Sequence, residues 1–189
     1  LTLLPQLMSA ALKAGDQKAM ILTATSGDTG KAALEGFKDV DRIGICVFYP
    51  HQKVSQIQYR QMATQQGKNV KVYAIEGNFD DAQSKVKSLF LDEDLRKKAE
   101  AQNVILTSAN SINIGRLVPQ IVYYFESYKY LVNHGEIQLG DPVSFSVPTG
   151  NFGDVLAGYY ACMMGLPVKK FYVASNAHHV LTDFLTTGA

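Results

Sequence analysis

Cysteine is scarce: Cys46 and Cys162 are the only two, they stand far apart, and neither belongs to a CxxC pair or a Cys/His cluster. That spacing excludes a disulfide framework and points to free thiols in a reducing compartment, so a cytosolic location is expected. No apolar run approaches the roughly 20 residues of a membrane span, and no basic segment followed by an apolar one opens the chain. A soluble protein with no membrane partner is therefore expected. Charge of one sign is missing too: 18 basic residues against 17 acidic ones leave a net +1 with no basic run. Nothing in that balance recommends a nucleic acid or an anionic surface, and a small molecule is the expected partner. Repeats, low-complexity tracts and flexible linkers are also lacking.

What is present suits one ordinary domain or two small ones: 189 residues, 47% hydrophobic and 19% charged. Helical and strand-length patterns alternate. Leu1 to Lys13 has apolar residues at three- and four-residue spacing, closed by Ala14-Gly15-Asp16. Short apolar runs at Ala19 to Ala24, Ile43 to Tyr49, Val70 to Ile75, Val104 to Thr107, Val143 to Val147 and Lys170 to Ala174 read as strands. Between them fall helical patterns over 31–37, 54–66, 79–90, 92–101, 112–133 (with a kink expected at Pro119) and from Val155 to Met163. This order predicts parallel βαβ units, with ligands at the carboxyl ends of the strands. A domain seam is expected at the Ser/Asn-rich joint, dividing 1–108 from 109–189.

Two glycine-containing turns lie at such strand ends. In the segment VSFSVPTGNFGDVLAGYYACMM (143–164), Val143, Phe145 and Val147 alternate with Ser144 and Ser146, and Pro148 forces the chain to turn. Gly150 and Gly153 permit close backbone approach, and the helix that follows aims its positive end back at the turn. A phosphate monoester fits that geometry. The turn is neither GxxxxGKS/T nor GxGxxG, so a nucleotide is not indicated. Val155, Tyr159 and Met163 fall four apart, with Leu156 and Tyr160 beside them, a helical spacing. The second turn, Thr25-Ser26-Gly27-Asp28-Thr29-Gly30, offers three hydroxyls, two glycines and a carboxylate ahead of another helix.

Five segments together resemble threonine synthase, a pyridoxal-phosphate enzyme of fold type II: LTATSGDTGKAA (22–33), EGNFDDAQSKVK (76–87), SANSINIGR (108–116), VPTGNFGDVLAGYYA (147–161) and NAHHVLTDF (176–184). The resemblance covers essentially the whole chain. It implies a parallel-sheet α/β fold like that of the tryptophan synthase β subunit, here incomplete. It also implies pyridoxal 5'-phosphate as cofactor and conversion of O-phospho-L-homoserine and water to L-threonine and phosphate. By the same resemblance Gly150, Asn151, Phe152, Gly153 and Asp154 hold the cofactor's phosphate, and Thr25, Ser26, Gly27 and Thr29 take the substrate carboxylate. Asp28 then stands near the ring's 3' oxygen, where many relatives carry Asn, so it must be protonated, rotated away or paired. Ser111, Asn113 and Arg116 are candidates for the substrate phosphate, with Asn113 and Arg116 expected on one face of a helix's first turns. The same Ser and Asn also suit a plain helix cap.

One departure from the family pattern matters. The Schiff-base lysine belongs in an FKD-like motif ahead of the SGDTG turn, whereas Phe37-Lys38-Asp39 follows it. Lys38 therefore reads as a helix-end surface lysine. Both ends of the chain look cut, the true lysine is expected upstream of Leu1, and the fragment is expected to be inactive alone and prone to self-association. Other fold-type II lyases and synthases, or a non-catalytic binding domain for a phosphorylated metabolite, are the alternatives. No metal site is expected: His178 and His179 point apart, His51 and His134 read as turn residues, and Cys46 and Cys162 are expected to be buried.

Overall fold

The alternation of short apolar runs with amphipathic stretches gives an all-parallel α/β architecture in the computed structural model, which describes residues 2–25, 27–110, 113–148, 152–175 and 180–188. Contacts divide the chain into two compact units, Leu1–Asn113 and Ile114–Ala189.

The first unit runs α1 (Leu3–Ala14), β1 (Lys18–Ala24), α2 (Asp28–Phe37), β2 (Ile43–Pro50), α3 (Gln56–Ala63), β3 (Val70–Ile75), α4 (Phe79–Leu91), α5 (Glu93–Glu100) and β4 (Val104–Thr107). Its sheet has the order β3-β2-β1-β4, every neighbour parallel, with Ile21 opposite Ile45 and Met20 opposite Leu106. The two-residue period of a strand sends alternate side chains to opposite faces. On one face Ile21, Ile45 and Val47 pack with Leu34 and Phe37 of α2 and Met62 of α3. On the other Leu22 and Ala24 meet Ala82 and Val86 of α4. Burying each large side chain contributes about 1.5–3 kcal/mol, which explains why β1 is apolar on both faces.

Residues 108–110 and Asn113 are held by polar groups. The Ala109 N–H donates to the buried Thr23 Oγ1 at 3.2 Å, and Asn113 Nδ2 donates to the Ser108 carbonyl at 2.7 Å. The division falls between Asn113 and Ile114, against the seam read from the sequence after residue 108.

The second unit contains α6 (Ile114–Asn133), β5 (Val143–Pro148), α7 (Gly153–Met163), β6 (Val168–Ala174) and α8 (Val180–Thr187). β5 and β6 pair in parallel, with Val147 opposite Val173. The row Leu117, Tyr124, Tyr128 on α6 packs against Val155, Ala157 and Ala161 of α7 and Val147 of β5. Pro119 lies inside α6, which runs on as one helix past it.

The buried face of α7 does not follow the Val155, Tyr159, Met163 spacing. Val155 is buried, but the rest of that face is Ala157, Gly158 and Ala161, while Tyr159 is 54% exposed and Met163 68%. Close approach is the reason: a Cβ on Gly158 would come within 2.6 Å of Tyr124 Cζ and 2.7 Å of Phe171 Cε1. The helix selects its small side, and its large side chains face outward with Cys162, which is exposed rather than buried.

Candidate functional site

Each glycine turn follows a strand directly at the carboxyl edge of its own sheet. In the first unit the turn is shorter than the sequence implied, because α2 already begins at Asp28. Asp28 and Thr29 are therefore first-turn residues, with the Asp28 carboxylate at the positive end of the helix.

Thr25 organises this turn from beneath. Its side chain is 2% exposed, and Oγ1 accepts from the Gly27 and Gly30 N–H groups, both at 3.0 Å, while donating to the Gly27 carbonyl at 3.0 Å. The Thr25 N–H in turn donates to the Phe48 carbonyl at 2.9 Å, which fixes the turn to β2. The hydroxyl's capacity is taken up within the chain, so Thr25 shapes the loop rather than offering a donor outward. Of the loop residues named from the sequence, Gly27 is buried, Thr29 is half-buried and Asp28 is exposed; Ser26 lies outside the described residues.

Asp28 has a partner within the chain: its Oδ1 accepts from Gln58 Nε2 at 2.8 Å. Gln58 escaped the sequence reading. It sits at the third position of α3, and its other amide atom, Oε1, accepts from the Ser55 N–H at 3.2 Å, completing a capping box with the Ser55 hydroxyl. The signal was there in Ser55-x-x-Gln58, a capping-box spacing, but a helix start placed at Val54 hid it. The amide also covers Gly27, where an added Cβ would lie 2.5 Å from Nε2.

In the second unit Thr149, Gly150 and Asn151 lie outside the described residues, and the turn is visible from Phe152 onward. Phe152 is the N-cap of α7 and adopts φ 62°, ψ −4°, a left-handed conformation that costs a bulky residue about 1–2 kcal/mol. Its ring packs on the core, which holds the strain in place. The Tyr124 hydroxyl donates to the Asp154 carbonyl at 2.8 Å, and burial, helped by the nearby Asp154 charge, pushes the phenol's pKa well above its ordinary value. Asp154 Oδ1 is buried and has no hydrogen-bond partner among the described residues. Among the described residues the first N–H groups of α7 receive no side-chain cap from Phe152.

The third set of candidates is only partly within the described residues. Asn113 precedes α6 instead of sharing its first turn with Arg116, because its N–H donates to the Asn110 carbonyl at 3.0 Å and its side chain to Ser108. Arg116 is on α6, where burial lowers its pKa, and its carbonyl accepts from Gln120 Nε2 at 2.6 Å. Ser111, like His178 and His179, lies outside the described residues. Lys38 is exposed and caps the C-terminus of α2, as a surface helix-end lysine would. His51 sits in a turn with its N–H donating to Ile75, and His134 stacks on Tyr130 at 3.9 Å. Among the described residues no group of three or more His, Cys, Asp or Glu could hold a metal ion, and no helix is long and apolar enough to cross a membrane.

No family model matches the chain. Threonine synthase from Pseudomonas aeruginosa is 46% identical over 189 residues, an alignment that covers 98% of this chain and 38% of that protein. The family that this chain resembles is threonine synthase. The human protein threonine synthase-like 1 is 47% identical over 175 residues, covering 89% of the chain and 24% of that protein. A crystal structure of pyridoxal-phosphate-bound threonine synthase from Brucella melitensis superposes with a TM-score of 0.86 at 41% identity, over 99% of this chain and 38% of that one. The fold is thus that of a threonine synthase, and the chain spans less than two fifths of the length of these relatives. Both glycine-containing segments fall within the stretch aligned with the Pseudomonas threonine synthase.

Proposed function

We propose that this chain is the part of a pyridoxal-phosphate-dependent threonine synthase that carries two of its ligand loops. The whole protein, in this reading, is a carbon–oxygen lyase that converts O-phospho-L-homoserine and water to L-threonine and phosphate. The observation that carries the reading is 46% identity to a threonine synthase along nearly the entire chain, with both anion-type turns inside the aligned stretch.

The cofactor, when bound, supplies the electron sink that lets the substrate's C–H bonds give up protons. Residues Gly150, Asn151, Phe152, Gly153 and Asp154 would hold its phosphate. What supports this is the uncapped start of α7, whose N–H groups and dipole favour an anion, and the left-handed Phe152 that turns the backbone there. Tyr124 holds the Asp154 carbonyl and so fixes the first turn of the helix. The first unit, Leu1–Asn113, then acts as the smaller domain, whose Ser26, Gly27 and Thr29 take the substrate carboxylate, with Thr25 shaping the loop beneath them. The second unit, Ile114–Ala189, forms part of the larger domain. Ser111, Asn113 and Arg116 are assigned to the substrate's phosphate; Arg116 is the side chain suited to a dianion. Asp28, held by Gln58, stays on the cofactor side of the loop as a carboxylate acceptor.

The Schiff-base lysine in this reading lies outside residues 1–189, because Lys38 is an exposed helix-end residue, and the 189-residue chain turns over nothing by itself. Two free cysteines suit a cytoplasmic location. The full-length protein tests the assignment. It should release phosphate and threonine from O-phospho-L-homoserine and form a visible-absorbing, borohydride-trappable adduct with pyridoxal phosphate. Turnover of serine or O-acetylserine with none of O-phospho-L-homoserine would overturn it, and absence of any adduct would leave only a phosphate-binding module.

A further inference from the structure

Gln58 is chemically unusual for its place. At the third position of a helix that begins with Ser, Glu and Gln serve the capping box equally well, since only a side-chain oxygen is needed to accept from the N-cap N–H. Glu would add a favourable charge at the positive end of the helix. Gln has what Glu lacks, a donor at the other end of the same planar group. In this chain the two ends have two partners 27 residues apart: Oε1 accepts from the Ser55 N–H at 3.2 Å and Nε2 donates to Asp28 Oδ1 at 2.8 Å. The amide also lies over Gly27, whose missing Cβ leaves the room it occupies. Thr25 binds the Gly27 and Gly30 N–H groups. The turn is therefore held by both a hydroxyl and an amide, and the amide is fixed because its own oxygen accepts from the start of α3.

We propose that Gln58 is a positioning residue of the 25–30 loop: by bridging the N-terminus of α3 to the Asp28 carboxylate, it fixes the conformation in which Gly27 and Thr29 face a ligand. The nature of that ligand, a substrate carboxylate, rests on the function proposed above; the bridge itself does not. Three consequences follow from the donor–acceptor pattern. Gln58→Glu keeps the capping box but sets two acceptors against each other. Asp28→Asn alone preserves the bridge, because its carbonyl oxygen still accepts from Gln58. The double variant Gln58→Glu/Asp28→Asn restores a bridge of reversed polarity, the amide introduced at 28 donating to the carboxylate introduced at 58.

The test is made on the full-length protein with two readouts. Hydrogen exchange of the peptide covering residues 24–31, measured without ligand, should accelerate roughly three- to tenfold in Gln58→Glu, the modest effect expected of a partly exposed charge-assisted bond, and return to the original rate in the double variant. KM for O-phospho-L-homoserine should rise by a similar factor in Gln58→Glu with kcat within twofold. Unchanged exchange in Gln58→Glu, or a double variant as loose as the single one, overturns the proposal. Exchange that follows the swap while KM stays put upholds the bridge and removes the substrate carboxylate from this loop, so the two ideas fail separately.

Discussion

Thr25→Val isolates what the Thr25 hydroxyl does, because valine keeps the shape of the side chain and deletes only its hydrogen bonding. Three bonds disappear: Gly27 N–H and Gly30 N–H to Oγ1, and Oγ1 to the Gly27 carbonyl, each 3.0 Å long. They are unequal. The Gly30 N–H has a second acceptor in the Gly27 carbonyl at 3.1 Å, so it is weakened, not stranded. The buried Gly27 N–H loses its acceptor, at a cost of about 1–3 kcal/mol, and the weakened Gly30 bond adds about 1 kcal/mol, offset in part by placing a methyl where a hydroxyl was. The net expectation is about 2–3 kcal/mol of local stability. Thr25→Ser is the counterpart: it keeps every hydrogen bond and loses only the methyl that packs beside Gly30, about 1 kcal/mol. Since the chain has no tryptophan, native-state hydrogen exchange of the 24–31 peptide is a better gauge than fluorescence. Exchange there should speed up roughly 30- to 160-fold in Thr25→Val and by less than about tenfold in Thr25→Ser. A serine variant as loose as the valine one, or a valine variant indistinguishable from the parent, would refute the claim that the hydroxyl is used up inside the loop.

Gly158→Ala should destabilise the second unit by about 2–3 kcal/mol in chemical unfolding, because the new methyl meets Tyr124 and Phe171 ring atoms at 2.6–2.7 Å with no slack. Alkaline titration provides a sign test. The folded-state pKa of Tyr124 is raised, so its contribution is complete below the unfolded phenol value near 10 and fades as pH climbs beyond it; Tyr124→Phe should flatten the loss of stability followed by circular dichroism above about pH 10. Ellman's reagent should label Cys162 rapidly and Cys46 slowly, since Cys162 is exposed and burial raises the Cys46 thiol's pKa. The isolated 189-residue chain should sediment as more than a monomer, and Tyr159→Glu with Met163→Glu on the outer face of α7 should shift it toward monomer.

The strands were legible because burial on both faces leaves no choice of residue: β1 and β2 read as unbroken apolar runs, and their neighbours on either side follow from the alternation with helices. The glycine turns were legible for a related reason, as breaks at strand ends. The faces of α7 were not. Apolar residues surround that helix almost completely, so periodicity carries little information about orientation, and the deciding quantity was size. Tyr124, 34 positions before Gly158, presents a ring that admits no side chain beyond hydrogen, a fact that no local pattern encodes. Asn113 was misplaced for the opposite reason: Ser108, Asn110 and Asn113 look like a helix cap, and they use the same hydrogen-bonding capacity to close a turn on themselves.

The two glycine turns also differ in how they keep their backbone in place, and the difference bears on what each can accept. At the start of α2 the N–H groups of Gly27 and Gly30 are already bound to Thr25, so what remains for a ligand is limited to the outward donors of a turn clamped by Gln58. Such a site favours a small planar anion that asks for few bonds in fixed directions. At the start of α7 nothing from the N-cap side chain competes for the first N–H groups, and Tyr124 holds the helix by the Asp154 carbonyl, behind the donors instead of among them. Under the proposed function, a helix start of that kind, with its dipole, suits a tetrahedral dianion better than a carboxylate. The proposed assignment of phosphate to the second turn and carboxylate to the first accords with these differences, and it would have to be exchanged if Thr25→Val weakened phosphate binding while leaving the carboxylate unaffected.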